Sequence, residues 1–213
     1  MAKKLKILIA DDHAIFRRGL KDIFMEHFPK VIVGEAEAGE SALEQVRKVD
    51  WDLVMLDVTM PGRNGVDILR DIKLLRPKLP ILVLSMHPEE QYAVRVLKAG
   101  AVGYITKIKA PLEVIGAVET VLAGGKYISP TLTEQLMEQS QPGAVKLPHE
   151  RLTNREYQVM CLTPSGKSLK EIADDLSISV QTVSTHRARI FKKMGLHTSA
   201  ELIRYALENK LVD

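Results

Sequence analysis

The run Leu53-Val-Met-Leu56 is continuously apolar and is followed at once by the carboxylate of Asp57. A strand with one face in water would alternate apolar and polar residues, so an unbroken apolar run indicates a strand covered on both faces. Four other short apolar runs surround it in the sequence, at Leu5–Ala10, Val31–Gly34, Ile81–Leu84 and Val102–Ile105. The sequence therefore predicts five buried strands.

Segments of helical periodicity separate these apolar runs. They lie near residues 14–27, 39–48, 64–75, 89–99 and 111–122. Strands that alternate with helices favour a parallel sheet with helices on both faces. We therefore predict an α/β fold for this part of the chain, a doubly wound five-stranded parallel sheet of order 2-1-3-4-5.

The regular alternation ends at Gly124-Gly125. Ser129-Pro130 and the flexible stretch Gln139–Gly143 follow, with room for one short helix at Leu132–Glu138. These turn-forming residues indicate a connection between two folded parts. We predict a first domain over residues 1–123, a linker over 124–148 and a second domain over 149–213.

The second domain is predicted to be all-helical because signals for helix N-termini recur in it. Three capping-box patterns occur, at Thr153–Glu156, Ser168–Glu171 and Thr198–Glu201. Ser179 can cap a further helix over 180–194, which Gly195 would end. A tight turn at Ser177–Ser179 precedes this helix. The pattern predicts a small all-α helix-turn-helix domain.

Composition limits the classes of function. A single cysteine, Cys161, excludes an internal disulfide and suits a reducing compartment. Neither a signal peptide nor an apolar stretch of about 20 residues is visible, so we expect a soluble cytoplasmic protein without a membrane partner. Residues 1–145 are balanced in charge, and residues 146–213 carry the whole net charge of +3. This asymmetry suits a neutral module joined to one that binds nucleic acid.

Three carboxylates are expected to meet at the carboxyl end of the sheet. In doubly wound sheets ligands bind where the strand order reverses, here between the first and third strands. Asp11 and Asp12 end the first strand, and Asp57 ends the third. Three close carboxylates repel one another, and a divalent cation such as Mg²⁺ relieves the repulsion. Ser85 and Lys107, at the ends of the fourth and fifth strands, would reach an anion held there.

Taken singly, these residues have ordinary explanations, since an Asp after a strand is often a helix cap and a lone lysine is usually solvated. Together they form a pocket with a carboxylate nucleophile, a metal site, a cation and a hydroxyl donor. Such a set suits phosphoryl transfer to Asp57.

The motifs Ala10-Asp-Asp-His13, Leu56-Asp-Val-Thr-Met-Pro-Gly62, Ser85 and Tyr104-Ile-Thr-Lys107 together resemble those of a response-regulator receiver domain. The resemblance implies that Asp57 is the phosphoacceptor and that a sensor histidine kinase is the donor. It implies Mg²⁺ bound by Asp12, Asp57 and the Thr59 carbonyl, with Asp11 assisting through water. Ser85 and Tyr104 would be the switch pair, and Lys107 would pair with the phosphoryl group. Ile108 departs from the pattern, since many relatives carry a polar residue there.

The predicted helix 180–194 carries four basic residues and no acid: Arg187, Arg189, Lys192 and Lys193. Its apolar stripe consists of Val183, Ile190 and Met194, with Phe191 at the edge. The opposite side offers Ser184, Thr185, Ala188 and Lys192. Short polar residues flanked by cations suit a DNA major groove, although basic helices are more commonly just solvated. Acidic partners at i±4, which are normal on a solvated helix, are absent.

The segments 152–156, 166–173 and 179–187 closely resemble a LuxR-type helix-turn-helix, so the whole chain resembles a NarL/FixJ-type response regulator. The resemblance implies double-stranded DNA as a partner and a homodimer promoted by phosphorylation. Its implied DNA contacts are Lys170, Thr182, Ser184, Thr185, Arg187, Lys192 and Lys193. Helix 199–208 would help the dimer, or its apolar residues Leu202, Ile203, Ala206 and Leu207 would close the domain's own core. Pro164 departs from the pattern and should end the first helix near Leu162.

Two other functions on a similar fold lack the residues that they need. A metal-dependent phosphatase with an aspartyl nucleophile would place a second Asp two residues later, where Thr59 stands. An FMN-binding domain would need a hydroxyl-rich loop after the first strand, where Asp11-Asp-His-Ala14 stands. We therefore expect no enzyme in the usual sense, only Mg²⁺-dependent self-phosphorylation and self-dephosphorylation at Asp57.

Overall fold

A computed structural model of the chain describes residues 4–139, 147–209 and 211–212. The chain divides into two compact units, Met1–Thr133 and Glu134–Asp213. Each unit buries apolar residues of its own, for example Leu56 in the first and Val183 in the second.

The first unit is an α/β layer structure. Strands β1 to β5 span Lys6–Ala10, Ile32–Ala36, Leu53–Asp57, Ile81–Ser85 and Gly103–Thr106. Helices α1 to α5 span Ala14–His27, Gly39–Lys48, Gly65–Leu75, Glu89–Lys98 and Ala110–Leu122. All neighbouring strands are parallel, in the order β2-β1-β3-β4-β5. The predicted fold class and strand order are confirmed.

The central strands are covered on both faces, as the unbroken apolar runs predicted, but the edge strand β2 is buried only at Ala36. Ile7 and Ile9 of β1 and Met55 of β3 face α1 and α5, in one core with Phe24 and Val118. The residues that alternate with these along β1 and β3, such as Leu8 and Val54, are also fully buried and lie on the opposite face of the sheet. Helix α2 packs against α3. Because β3 is central and buried at every position, its last residue, Asp57, is held in a fixed position at the carboxyl edge of the sheet.

The second unit is all-helical, as predicted. Helix α6 spans Pro130–Gln139 and contains the boundary between the units, which agrees with the short helix expected near Leu132–Glu138. Helices α7 to α10 span Asn154–Leu162, Leu169–Asp175, Val180–Met194 and Ser199–Glu208. The expected flexible stretch Gln139–Gly143 lies, after its first residue, outside the described residues.

Most of the predicted caps form. Thr153 and Ser168 make reciprocal capping boxes with Glu156 and Glu171. Ser179 caps α9, and Gly195 ends it in the left-handed region at φ 68°. Thr198 caps α10, but the side chain of Glu201 accepts from the His197 amide instead of that of Thr198.

Pro164 acts as the sequence predicts. Helix α7 ends at Leu162, and a short 3₁₀ turn, Thr163–Ser165, leads to Gly166 at φ 75°. None of the helices in the described part of the chain is long and apolar enough to cross a membrane.

Candidate functional site

The carboxyl ends of four strands bring the predicted pocket residues to one edge of the sheet. Asp11 directly follows β1, Asp57 ends β3, Ser85 ends β4 and Lys107 directly follows β5. All four side chains are buried, with Asp11, Asp57 and Ser85 fully so. The sequence therefore located the pocket because parallel strands end at the same edge.

Both carboxylate oxygens of Asp57 have partners. The backbone amide and the hydroxyl of Thr59 donate to Oδ1, at 2.7 and 2.5 Å. The ammonium of Lys107 donates to Oδ2 at 2.5 Å. These donors fix the carboxylate of Asp57 in one orientation.

Lys107 bridges the two buried carboxylates. Its Nζ lies 2.7 Å from Asp11 Oδ2 as well as 2.5 Å from Asp57 Oδ2. The ring of Phe16 lies under the same ammonium, with its centroid 5.0 Å from Nζ. The lysine therefore supplies positive charge between carboxylates that would otherwise repel each other.

The pKa directions reflect burial and pairing. Burial raises the pKa of the Asp57 carboxyl above its usual value, although Lys107 and Thr59 act in the opposite direction. Burial alone would lower the pKa of Lys107, but its pairs with Asp57 and Asp11 raise it overall. A buried carboxylate with a raised pKa is typical of functional sites.

His13 joins the cluster and was missing from the predicted site. Its Nδ1 lies 3.1 Å from Asp11 Oδ1, 3.0 Å from Asp12 Oδ1 and 3.3 Å from Lys107 Nζ. Possible ligand atoms of Asp11, Asp12, His13 and Asp57 lie within 4.8 Å of one another. This acidic pocket has the composition of a metal site. The position of His13 beside the two aspartates was the signal that could have included it.

Arg17 anchors the loop that carries the aspartates. It is buried, donates to the Asp11 carbonyl at 2.6 Å and pairs with Glu37 Oε1 at 2.9 Å. Nothing in the sequence distinguished this arginine from the solvated basic residues of α1, because its carboxylate partners, Glu35 and Glu37, lie on and just after β2.

The two predicted switch residues share one neighbour, His87. The Ser85 hydroxyl accepts from the His87 amide at 3.1 Å, and the Tyr104 hydroxyl donates to the His87 carbonyl at 2.7 Å. Tyr104 is buried. Ile108, where the receiver pattern is broken, is 78% exposed, so its apolar side chain leaves the Lys107 contacts in place.

The second unit presents α9 after a tight turn. Ser177 adopts φ 51° in this turn, and the Ile178 amide donates to the Ala173 carbonyl at 2.9 Å. Val183, Ile190 and Met194 face the core of the unit, as the sequence predicts. The exposed residues of α8 and α9 include six polar or basic side chains of the predicted surface: Lys170, Ser184, Thr185, Arg189, Lys192 and Lys193.

Two of the four basic side chains of α9 are engaged within the unit. The guanidinium of Arg187 donates to the Ser199 hydroxyl and lies over the Phe191 ring, 5.4 Å from its centroid. Lys193 Nζ donates to Glu156 Oε2 at 2.6 Å. From the sequence, Arg187 and Lys193 were expected at the flanks of the side predicted to face DNA, and these partners within the unit were not recognised. Thr182 is half-buried, and its hydroxyl lies 2.8 Å from that of Ser179.

Helix α10 contributes to the core of the second unit. Leu202 and Ala206 are fully buried, Ile203 is half-buried and Leu207 is half-exposed. Of the two readings of this apolar face, closure of the unit's own core therefore accounts for Leu202 and Ala206.

The comparisons with known proteins agree with both halves of this description. The model described as a response regulator receiver domain matches residues 7–119, and the one for bacterial regulatory proteins of the luxR family matches residues 150–206. Response regulator UvrY of Escherichia coli is 33% identical over 208 residues, which are 97% of this chain and 95% of UvrY. Response regulator GacA of Pseudomonas aeruginosa is 33% identical over 210 residues, covering 98% of each chain.

A solved structure of RcsB from Salmonella enterica serovar Typhimurium, bound to promoter rprA in the presence of the phosphomimetic BeF3−, is also similar. It aligns with a TM-score of 0.63 at 27% identity, and the match covers 95% of this chain and 98% of RcsB. The receiver match ends shortly before the end of α5, and the luxR-family match covers α7 to α9 and ends within α10. The chain belongs to the NarL/FixJ family of two-component response regulators, with a receiver domain and a LuxR-type DNA-binding domain.

Proposed function

We propose that Asp57 is the phosphoacceptor and that its phosphorylation controls DNA binding by the second domain. The single observation that carries this proposal is the buried carboxylate of Asp57, held by Thr59 and Lys107 at the carboxyl edge of the sheet. Such a carboxylate is an oriented nucleophile beside a cation.

The phosphoryl donor is the phosphohistidine of a sensor histidine kinase. An oxygen of Asp57 attacks the phosphorus, the P–N bond breaks, and the histidine nitrogen keeps the bonding pair and takes a proton. The product is an acyl phosphate on Asp57. Lys107, already beside both Asp57 and Asp11, pairs with the added negative charge, which is about −1.5 to −2. Later attack of water on the phosphorus breaks the P–O bond to Asp57, which returns the carboxylate and releases inorganic phosphate. This self-phosphorylation and self-dephosphorylation is the only chemistry that we propose.

Mg²⁺ fits the pocket because hard oxygen ligands converge there. Asp12, Asp57 and the Thr59 carbonyl are the proposed protein ligands, and Asp11 acts through water. When bound, the ion neutralises charge on the transferring phosphoryl oxygens. The protein's own part is to orient Asp57 and to exclude bulk water from its buried carboxylate.

Ser85 and Tyr104 convert the new charge into a change of shape. The Ser85 hydroxyl turns towards the phosphoryl oxygens and ceases to accept from the His87 amide. Tyr104 follows, because its hydroxyl is held by the carbonyl of the same His87. The surface of α4, β5 and α5 then differs between the two states.

The second domain binds double-stranded DNA through α8 and α9, with Lys170, Thr182, Ser184, Thr185, Arg187, Lys192 and Lys193 as the proposed contacts. The exposed Ser184, Thr185 and Lys192 support this assignment most directly, while Arg187 and Lys193 would first have to leave their partners in the unit. Structures described as RcsB dimers bound to DNA exist for a relative. We infer that this chain also binds as a homodimer, promoted by phosphorylation.

The proposed domain limits are 1–123 for the receiver, 124–148 for the linker and 149–213 for the DNA-binding domain. The end of α5 at Leu122 and the start of α7 at Asn154 support these limits, although the first compact unit extends beyond Leu122 to Thr133.

The test is the intact mass of the full chain after treatment with acetyl phosphate and Mg²⁺. We expect one added phosphoryl group, mapped to Asp57 by peptide analysis. Asp57→Asn is the control and should gain none. A phosphoryl group on another residue, or none on the unaltered chain, would overturn the assignment.

A further inference from the structure

One polar residue on the exposed side of α9 is not among the predicted DNA contacts. Gln181 follows the cap residue Ser179 by two positions and therefore lies in the first turn of the helix. It is exposed, as are Thr185, Ala188 and Lys192. These four residues recur at i, i+4, i+7 and i+11, so they form one stripe along α9, opposite its buried side. We call them the outer stripe, and Gln181 is its first member.

The side-chain amide of Gln181 is available to an external partner. Among the described residues, none is hydrogen-bonded to this amide, whereas the backbone carbonyl of Gln181 accepts from the Thr185 hydroxyl at 2.9 Å. Arg187 and Lys193 differ, since they are held by Ser199 and Glu156 within the unit. Gln181 can therefore bind another molecule without breaking a side-chain contact of its own.

The members of the outer stripe nearest to Gln181 are short. Thr185 has its hydroxyl on the Gln181 carbonyl, which leaves its methyl group as the remaining side-chain group, and Ala188 has a methyl group alone. Lys192 lies eleven positions beyond Gln181, which is about 16 Å along the helix axis. The first turns of α9 can thus come close to the floor of a groove, and Gln181 is the longest of the three side chains there.

A glutamine amide matches one base in the DNA major groove. The amide presents a donor, its NH₂ group, beside an acceptor, its oxygen. The major-groove edge of adenine presents the N7 acceptor beside the N6 amino donor, so both groups of the glutamine can be paired at once. Residues near the N-terminus of a recognition helix are those that contact base edges. Gln181 combines this position with this chemistry.

We infer that Gln181 is a specificity-determining residue whose amide donates to N7 and accepts from the N6 amino group of one adenine in each DNA half-site. This inference rests on the proposed docking of α9 in the major groove. An exposed cation such as Lys192 contacts phosphates, which carry no sequence information directly. Gln181 therefore determines which base is preferred, while the cations determine how tightly any duplex is bound.

The experiment selects duplexes from a randomised pool with the full chain after treatment with acetyl phosphate and Mg²⁺. Four chains are compared: the unaltered chain, Gln181→Ala, Gln181→Glu and Lys192→Ala. Lys192→Ala is the matched control, because it shortens an exposed residue of the same stripe but removes a cation and no base-reading amide. The readout is the base preference at each position of the selected half-site.

The unaltered chain should prefer adenine at one half-site position by at least about fivefold. Gln181→Ala should reduce this preference to less than about twofold. Lys192→Ala should keep the preference and bind all duplexes more weakly. Gln181→Glu should prefer cytosine at the same position, because a carboxylate accepts from the N4 amino group of cytosine.

A modified base tests for direct contact. Replacing the preferred adenine with 7-deazaadenine removes the N7 acceptor and keeps the Watson–Crick pair. The affinity of the unaltered chain, measured by fluorescence anisotropy, should fall by about fivefold. Gln181→Ala should bind both duplexes equally, because it no longer has the donor for N7.

A Gln181→Ala chain that keeps the adenine preference would overturn the inference and leave the proposed function in place. An equal loss of affinity for the 7-deazaadenine duplex in both chains would also overturn it, because another residue would then contact N7. So would selected sites without a preferred adenine. An unaltered chain that enriches no duplex is a different result, and it would overturn the proposed DNA binding itself.

Discussion

The acidic pocket and the surface of α9 use charge in opposite ways. In the pocket, Lys107 is buried between Asp57 and Asp11, and each charge has a fixed partner. On α9, Arg189 and Lys192 are exposed. An exposed cation adds a small amount to the free energy of binding a polyanion such as DNA, and salt screens this contribution. A few buried charges with fixed partners can form a two-state switch, whereas exposed charges change the affinity for DNA in small steps. In the proposed function, the molecule therefore joins a buried phosphorylation switch to an exposed DNA-binding surface.

The largest expected effect comes from removing the nucleophile. Asp57→Asn keeps the shape of the side chain but has no carboxylate to form the acyl phosphate. Phosphoryl uptake from acetyl phosphate should fall below detection, at least about 100-fold, when it is followed by intact mass. Asp12→Asn serves as the comparison, since it weakens the metal site but leaves the nucleophile, and should retain slow uptake. Equal phosphoryl uptake by Asp57→Asn and Asp12→Asn would show that Asp57 is not the phosphoacceptor.

The next effect tests whether Lys107 competes with the metal for the same carboxylates. Lys107→Met removes an ammonium 2.5 Å from Asp57 and 2.7 Å from Asp11, leaving net negative charge in the pocket. Mg²⁺ should bind about tenfold more tightly by calorimetry, while phosphoryl uptake slows about tenfold. Weaker Mg²⁺ binding in this variant would show that the lysine supports the metal site.

A smaller effect concerns Glu156, a buried carboxylate that pairs with Lys193 of α9. Burial alone would raise the pKa of Glu156, but hydrogen bonds from Lys193 and Thr153 lower it overall. A lowered pKa stabilises the folded state above the usual value of 4.5, and this contribution is lost as the pH falls through the folded pKa.

Glu156→Gln should therefore destabilise the second unit by about 1 kcal/mol at neutral pH. The difference from the unaltered chain should shrink on acidification below about pH 4.5. Urea unfolding at pH 7 and pH 4 measures this difference in the free energy of unfolding. A difference that stays constant across this range would mean that the carboxylate charge contributes nothing.

The smallest effect distinguishes two adjacent lysines. Lys192 is exposed, so Lys192→Ala should weaken DNA binding a few-fold and reduce the salt slope by about 0.9. Lys193 pairs with Glu156, so Lys193→Ala should change the slope less and lower the stability of the unit more. Affinity measured across a salt series separates the two. Identical slopes in both variants would mean that Lys193 leaves Glu156 on DNA.

Local signals predicted most of the fold. The strands followed from unbroken apolar runs such as Leu53–Leu56, and the helix starts from caps such as Ser168 and Ser179. These signals work because hydrophobic periodicity and capping depend on residues close in sequence. The pocket followed as well, because the ends of parallel strands coincide at one edge.

Individual side-chain contacts between distant residues, other than those gathered at the strand ends, could not be predicted. Lys193 and Glu156 are 37 positions apart, and Arg187 reaches Ser199 on the next helix. Helical position sets the direction of the Cβ, but a long basic side chain then takes whatever acceptor the tertiary fold brings near. The backbone bridge between Tyr127 and Gly103 of β5 was hidden for the same reason, since only the fold brings the two residues together.

The most direct test of the account measures phosphoryl stoichiometry and DNA affinity in the same sample of full-length chain, before and after acetyl phosphate with Mg²⁺. Affinity for a selected duplex should rise in proportion to the fraction of chains that carry a phosphoryl group on Asp57, and Asp57→Asn should show neither change. Full phosphorylation of Asp57 with unchanged DNA affinity would contradict the proposed function, because phosphorylation of the receiver would then not control DNA binding by the second domain.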